Sequence, residues 1–208
     1  MKIALLGAES TGKTQLAQEL AAHFNAQGRS AIAVPEVLRE WCQREGRTPR
    51  PEEQLPIAQE QERRVDEAAA RADVVIADTT ALMVAIYSAM LFEDGTLYRF
   101  ALERQRSYDI TLVSGLDLPW IADGLQRDGP HVREPVDALV REALAKAGVA
   151  YRVVYGSGPQ RLANALRAIG EFDRGGESTS QQAWAWQCEK CSDPECEHRL
   201  FTGLLKER

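Results

Sequence analysis

The sequence has no long hydrophobic run and no excess of positive charge. Its longest mostly apolar stretch, residues 81–92, is shorter than the ~20 residues that span a membrane, so it predicts a core helix. The sequence has 25 Lys and Arg residues and 31 Asp and Glu residues, and no segment is basic enough for a nucleic-acid arm. These absences exclude membrane and nucleic acid from the expected partners and favour small molecules.

Cysteine is scarce, and a signal peptide is not expected. Glu9 interrupts the first apolar residues before they could form the core of a signal peptide, which predicts a cytoplasmic protein. Of the four cysteines, Cys42 is isolated, and the other three lie close to His198. In a reducing compartment, such a cluster indicates a metal site rather than disulfides.

The 208 residues suffice for one full domain with a small appendage. Short apolar runs alternate with helical patterns, which is typical of βαβ units around a parallel sheet. The runs predict five buried strands, at residues 3–6, 31–34, 74–77, 110–113 and 151–154. We therefore predict an α/β three-layer sandwich with a five-stranded parallel sheet over residues 1–172.

Two segments interrupt this alternation. Residues 115–135 are rich in glycine and proline and longer than an ordinary connection, which predicts a functional lid. Residues 173–187 have the polar composition of a linker, and they lead to a Cys/His tail at residues 188–208.

Residues 7–14, Gly-Ala-Glu-Ser-Thr-Gly-Lys-Thr, match the phosphate-loop pattern G-x-x-x-x-G-K-[ST] between a strand and an amphipathic helix. The glycines let main-chain N–H groups approach phosphate oxygens, and the helix dipole adds positive charge. We expect Lys13 to reach the β- and γ-phosphates of ATP and the Thr14 hydroxyl to bind Mg²⁺. The predicted nucleotide-binding residues are Gly7, Glu9, Ser10, Thr11, Gly12, Lys13 and Thr14.

Asp78 ends the third predicted strand, at the edge where open α/β sheets carry their sites. Its carboxylate suits Mg²⁺ binding or catalysis. Alternatively, Asp78 caps the helix that follows it.

The remaining features favour a small-molecule kinase among phosphate-loop proteins. The Asn-Lys-x-Asp element of guanine-specific switches does not occur. Glu36 follows the second predicted strand and is our candidate for binding or deprotonating an acceptor hydroxyl, although a first-turn acid also suits a helix dipole. Arg39 lies where it can pair with Glu36 or reach the substrate.

Arg127 and Arg133 fall in the predicted lid. Their planar, permanently charged guanidinium groups suit the charge that develops during phosphoryl transfer. The alternative is that both are solvated surface arginines.

Five segments resemble the ribosylnicotinamide kinase domain of NadR-type proteins. They are Gly-Ala-Glu-Ser-Thr-Gly-Lys-Thr (7–14), Pro-Glu-Val-Leu-Arg-Glu-Trp (35–41), Ile-Ala-Gln-Glu-Gln (57–61), Ala-Asp-Thr-Thr (77–80) and Pro-Trp-Ile-Ala-Asp-Gly-Leu (119–125). The resemblance implies a P-loop kinase-like fold and the ATP- and Mg²⁺-dependent phosphorylation of the ribose 5′-hydroxyl of nicotinamide riboside.

Carried over by position, the resemblance assigns the phosphate loop to ATP and Asp78 to metal or catalysis, and it places Trp120, Asp123 and Arg127 in the lid. It implies substrate contacts from Glu36, Arg39, Gln61, Trp120 and Asp123. Pro35 and Val37 stand where the family has aromatic residues. Trp41 or Trp120 could stack on the nicotinamide ring in their place, although a tryptophan on a helix is more often part of the core.

The tail brings four soft metal ligands together in a short span: Cys188, Cys191, Cys196 and His198. This pattern indicates zinc, with free thiols or a redox-reactive tail as the alternatives. Bound zinc would order the tail, whose apolar residues could dock on the kinase domain or on a second subunit, so a homodimer is among the expected assemblies.

Together these features predict a cytoplasmic nucleoside kinase that uses ATP and Mg²⁺, with nicotinamide riboside as the expected acceptor. The competing hypothesis is an ATP-binding switch whose metal-binding tail contacts a protein partner.

Overall fold

The structure, a computed structural model, describes residues 1–93, 95–121 and 129–173. Strands and helices alternate along these residues. The strands are β1 (Lys2–Leu6), β2 (Ala31–Val34), β3 (Val74–Asp78), β4 (Ile110–Ser114) and β5 (Arg152–Val154). The α-helices are α1 (Lys13–Ala26), α2 (Val37–Glu45), α3 (Pro51–Ala69), α4 (Ala81–Phe92), α5 (Leu97–Gln105), α6 (Arg133–Ala147) and α7 (Gly158–Asp173).

The five strands form one parallel sheet in the order β2-β3-β1-β4-β5. On one side of β1, Leu5 lies opposite Asp78 of β3, and on the other side Leu6 lies opposite Val113 of β4. The chain crosses from one side of β1 to the other between β3 and β4. The carboxyl end of β1 is therefore the topological switch point, where open α/β sheets bind ligands.

Helices cover both faces of the sheet. Ile3 and Leu5 belong to the apolar core formed with α1 and α7. Ala4 and Leu6, which point to the opposite face, belong to the cores formed with α3, α4 and α6. The predicted α/β three-layer sandwich with a five-stranded parallel sheet is thereby confirmed.

The apolar stretch at residues 81–92 forms α4, as predicted, and its residues 81–86 are all buried. Core packing explains its composition. Within the described ranges, no helix is both long and apolar enough to cross a membrane. No helix was predicted for α5, in which Leu97 and Ala101, four residues apart, pack in the core beside α4 and stabilise the helix.

An ion pair closes the connection between α2 and α3. Arg47 donates from Nη1 and Nη2 to the two carboxylate oxygens of Glu53, at 2.7 Å each. Glu53 also accepts from the main-chain N–H of Arg50 at 2.7 Å. The hydrogen bonds from Arg47, which have the largest effect, and from the Arg50 main chain lower the pKa of Glu53 to about 2.

Candidate active site

The loop between β1 and α1 has an unusual main-chain conformation. Gly7, Ser10 and Gly12 have φ values of +133°, +55° and +71°. A Cβ atom at Gly7 would lie 3.1 Å from the Cβ of Ser114 and close to the main chain of β4, so glycine is required there. Ser10 adopts its conformation despite having a side chain, and such strain is typical of functional sites.

Lys13 begins α1, and its ammonium group lies against this loop. Its Nζ donates to the carbonyl oxygens of Gly7 at 2.9 Å and Ala8 at 2.7 Å, and the side chain is buried. The Thr11 hydroxyl donates to the same Ala8 oxygen at 2.8 Å, and Glu9 is also buried in the loop. The loop thus combines a buried positive charge with a helix N-terminus, an arrangement that favours anions.

Thr14 and Asp78 meet at the carboxyl edge of the sheet. The Thr14 hydroxyl donates to Oδ2 of Asp78 at 2.6 Å. Asp78 is 1% exposed, and its Oδ1 is buried with no hydrogen-bond partner among the described residues. A hydroxyl and a carboxylate with an unused buried oxygen are the ligands that fit Mg²⁺ carried by a nucleotide.

The alternative role of Asp78 as a helix cap is wrong. α4 begins at Ala81, and its N-cap is Thr80, whose hydroxyl accepts from the main-chain N–H of Leu82 at 3.2 Å. Thr79 separates Asp78 from the cap and has a φ of +71°, which is rare for a β-branched residue.

Glu36 and Arg39 join the same cluster from α2. Arg39 Nη2 lies 2.6 Å from Oε2 of Glu36, which is largely buried at the N-cap of α2. Arg39 Nη1 donates to the Thr14 hydroxyl at 2.8 Å and lies 3.8 Å from Oδ2 of Asp78. One guanidinium therefore bridges the predicted acceptor-side acid and the predicted metal ligands.

Gln61 holds the main chain on both sides of Glu36. Its Oε1 accepts from the N–H of Val37 at 2.9 Å, and its Nε2 donates to the carbonyl of Pro35 at 3.4 Å. The side chain is 1% exposed. Both ends of its amide are used in this way, so Gln61 orients Glu36.

The segment after β4 is bonded to the loop. The Ser10 hydroxyl accepts from the N–H of Ile121 at 2.8 Å and donates to its carbonyl at 3.0 Å. Trp120, the preceding residue, is half-buried, and its indole N–H has no hydrogen-bond partner within the described part of the chain. The structure thus brings Trp120 close to the loop.

Arg133, the second predicted lid arginine, is the first residue of α6. It is 8% exposed, and its Nη2 donates to the carbonyl of Leu116 at 3.2 Å. The other predicted lid residues, Asp123 and Arg127, lie outside the described residues, as do the four predicted zinc ligands, Cys188, Cys191, Cys196 and His198. Among the residues that are described, no three His, Cys, Asp or Glu side chains form a metal-binding group.

Arg161 in α7 also belongs to the site, and sequence reasoning missed it. It is 4% exposed, and it donates from Nη2 to the carbonyl of Thr11 at 2.6 Å and from Nη1 to that of Gly156 at 3.1 Å. Burial lowers the pKa of Arg161 below its usual value. No motif marks this residue, because its partner in the loop is 150 positions away.

A pocket of about 320 Å³ lies between α2 and α3 and includes Trp41 in its lining. The guanidinium of Arg47 lies 4.7 Å from the centre of the Trp41 ring. The residues of α2 that line this pocket lie on the face opposite Arg39, which points to Thr14. Of the two tryptophans considered for stacking, Trp120 is therefore the one that the chain places next to the loop.

Comparison with known proteins places this arrangement in a family. The sequence model of a family described as AAA domain matches residues 2–161. Among curated proteins, none matches the chain by sequence.

Several solved structures are similar in fold. NadR protein in complex with NR has a TM-score of 0.66 and 21% identity, over 88% of this chain and 54% of that one. NadR protein in complex with NAD and AMP-PNP has a TM-score of 0.61 and 20% identity, over 88% of this chain and 51% of that one. The chain thus spans about half the length of these NadR chains.

A deoxyadenosine kinase from M.mycoides, with products dCMP and a flexible dCDP bound, is a third structure of similar fold. Its TM-score is 0.55 at 15% identity, over 82% of this chain and 100% of that one. Together the three likenesses confirm the P-loop kinase-like α/β fold that the sequence resemblance implies.

Proposed function

The chain belongs to the AAA domain family, and we propose that this member is an ATP- and Mg²⁺-dependent kinase that phosphorylates a nucleoside hydroxyl. The phosphate-loop pattern and the strained loop that carries it support nucleotide binding. The likeness in fold to a deoxyadenosine kinase and to NadR in complex with AMP-PNP supports a kinase.

We further propose nicotinamide riboside as the acceptor. The segments that resemble NadR-type kinases support this choice, and so does the likeness in fold to NadR in complex with NR. Trp120, half-buried beside the loop, is the aromatic residue best placed to stack on the ring.

The observation that carries the proposal is the bridge made by Arg39. Its guanidinium contacts Glu36 at 2.6 Å and the Thr14 hydroxyl at 2.8 Å. A nucleotide bound at Thr14 and a hydroxyl bound at Glu36 would therefore be neighbours. Such proximity is the main requirement of phosphoryl transfer, in which enzymes act mostly through positioning and charge.

In the proposed reaction, the loop and Lys13 bind the β- and γ-phosphates of ATP. Glu36, held by Gln61, accepts the proton of the acceptor hydroxyl, whose oxygen forms the new bond to the γ-phosphorus while the bond to the ADP oxygen breaks. Arg39 and the lid arginines, Arg127 and Arg133, neutralise the developing charge. Thr14 and Asp78 would hold Mg²⁺, and the ion would supply positive charge that neutralises the phosphates of ATP.

The test is a panel of nucleosides incubated with the purified full chain, ATP and Mg²⁺. We expect ADP release only with an acceptor, and a product whose mass has increased by one phosphate. A Lys13→Ala variant is the matched control and should be inactive. If ATP binds but no nucleoside is phosphorylated, the kinase proposal is wrong, and an ATP-binding switch with a protein partner becomes the better explanation.

A further inference from the structure

Arg161 is a buried charged residue that the proposed reaction does not use. It lies in the first turn of α7 and donates a hydrogen bond to the loop, at the carbonyl oxygen of Thr11, at 2.6 Å. The second contact of its guanidinium is the carbonyl of Gly156, which precedes α7, at 3.1 Å. The side chain thus ties the loop to the end of the last strand.

The contact with Thr11 fixes the direction of a main-chain N–H. In a trans peptide the carbonyl of one residue and the N–H of the next point in opposite directions. Because Arg161 holds the Thr11 carbonyl on its own side, the N–H of Gly12 points to the other side. The φ of +71° at Gly12 shows that this part of the loop has an orientation that most residues would not adopt unaided.

We propose that Arg161 is a positioning residue for the phosphate loop, which turns the Thr11–Gly12 peptide so that the Gly12 N–H faces a nucleotide phosphate. The inference rests on the proposed function, in which residues 7–14 bind ATP. It adds to the phosphate-binding loop a residue outside the sequence motif, 150 positions further along the chain than Thr11.

Asp117 completes the link. Its Oδ2 accepts from the N–H of Gly156 at 2.6 Å, and its Oδ1 lies 3.8 Å from Nη1 of Arg161. Asp117 follows β4 and Gly156 follows β5, so the segments after three neighbouring strands are joined at one edge of the sheet. Asp117 also places a negative charge near the buried guanidinium.

The cost of this arrangement argues against a role in stability alone. Nε of Arg161 is buried and has no hydrogen-bond partner in the part of the chain that the structure describes. Burying a guanidinium with an unsatisfied N–H disfavours folding, and replacing a buried charged group by an apolar side chain is often neutral or stabilising in proteins. A Cβ atom at Gly12 would lie 3.9 Å from this Nε, so the charged group also lies next to the N-terminus of α1, where it favours anions.

The test compares nucleotide binding by the full chain and by two variants, using calorimetry with Mg²⁺ and AMP-PNP. Arg161→Met removes both hydrogen bonds and the charge, and Arg161→Lys keeps the charge but loses the planar fork that reaches two carbonyls. We expect both variants to bind AMP-PNP about tenfold more weakly or worse. Arg167→Met, an exposed arginine on the same helix, is the control and should match wild type.

A second readout separates positioning from general destabilisation. Adenosine has no phosphates, so its affinity should be unchanged in folded Arg161 variants, whereas AMP-PNP affinity falls. In amide NMR spectra, the Gly12 resonance should shift on addition of AMP-PNP to wild type and shift much less in Arg161→Lys. A variant that loses affinity for both ligands equally would contradict the proposal.

The outcomes distinguish the two proposals. If wild type binds no AMP-PNP, the proposed function fails and this inference fails with it. If wild type binds and a folded Arg161→Met variant binds equally well, only the inference is wrong. If Arg161→Met does not fold, the Arg161→Lys and Asp117→Asn variants test the inference. Asp117→Asn keeps an oxygen that accepts from the N–H of Gly156 and removes only the negative charge. Wild-type affinity for AMP-PNP in both variants would overturn the inference.

Discussion

Thr14 and Asp78 are 64 residues apart in the chain, and the hydroxyl of the first donates to the carboxylate of the second at 2.6 Å. The contact joins the first turn of α1 to the last residue of β3. It follows from the parallel register of β1 and β3, which places Asp78 beside Leu5. Because both residues lie on regular elements, their oxygen atoms are positioned by the scaffold rather than by a loop.

Replacing Asp78 by Asn should separate charge from shape at this contact. Asp78→Asn keeps an acceptor oxygen for Thr14 but removes the negative charge that would hold Mg²⁺. We expect kcat to fall by about 100-fold or more, since metal-assisted charge stabilisation contributes several kcal/mol. Initial rates over a Mg²⁺ titration measure the loss, and half-maximal activity should need more Mg²⁺. Thr14→Ser keeps the hydroxyl and is the control variant. An unchanged Mg²⁺ dependence of the rate in Asp78→Asn would contradict the role of Asp78 as a metal ligand.

Glu36→Gln should affect turnover and spare nucleotide binding. The amide cannot accept the proton of the acceptor hydroxyl, and general-base catalysis contributes about 100- to 10,000-fold. We therefore expect kcat to fall within this range while the Kd for AMP-PNP, measured by calorimetry, stays within about twofold of wild type. Glu45→Gln, at an exposed position of the same helix, should leave both quantities unchanged. An active Glu36→Gln enzyme would remove the general-base assignment.

The fold could be predicted from the sequence because its signals are local. Each strand is a short apolar run, and the phosphate-loop pattern lies directly between the first run and an amphipathic helix. The strand boundaries differ by only a residue, as where β3 extends to include Asp78.

The side-chain contacts of the site were beyond the reach of these signals. The contact between Arg161 and the loop depends on how α7 packs on the sheet, and no local pattern records that rotation. The same holds for Gln61, whose two hydrogen bonds to the main chain around Glu36 connect α3 to the end of β2. A motif therefore identifies the groups that touch a ligand more readily than the groups that orient them.

Gly7 and Gly28 offer a matched pair of glycine substitutions. Both have positive φ, +133° and +80°, but a Cβ at Gly7 would meet Ser114 at 3.1 Å, and a Cβ at Gly28 would meet nothing within 4 Å. We expect Gly28→Ala to cost only about 1–2 kcal/mol of backbone strain. Gly7→Ala should cost more and abolish AMP-PNP binding, because the loop must move away from β4. Thermal unfolding measures the loss of stability, and calorimetry measures the affinity for AMP-PNP. If Gly7→Ala and Gly28→Ala have equal stability and equal affinity, this account of the loop is wrong.

We propose from the sequence that the tail at residues 188–208 binds zinc. Elemental analysis of the purified full chain should then find about one zinc per chain, since Cys and His side chains make a tetrahedral site. Cys191→Ser should lose the metal, because a hydroxyl is a poor zinc ligand at neutral pH. Cys42→Ser is the control, because Cys42 is buried in α2 and distant in sequence from the other cysteines. Zinc content unchanged in Cys191→Ser would exclude that ligand set.

The ion pair between Arg47 and Glu53 predicts how stability depends on pH. Hydrogen bonds from Arg47 lower the pKa of Glu53 from 4.5 to about 2 in the folded chain. A carboxyl group with a depressed pKa stabilises the fold above its unfolded pKa, and that contribution is lost as the pH falls toward the folded value. Wild type should therefore lose more stability between pH 4.5 and 2 than Glu53→Gln does. Thermal unfolding across this window measures the difference, with Glu52→Gln as the neighbouring control. Parallel pH profiles for wild type and Glu53→Gln would show that the ion pair does not persist in solution, in which case the connection between α2 and α3 is held by packing alone.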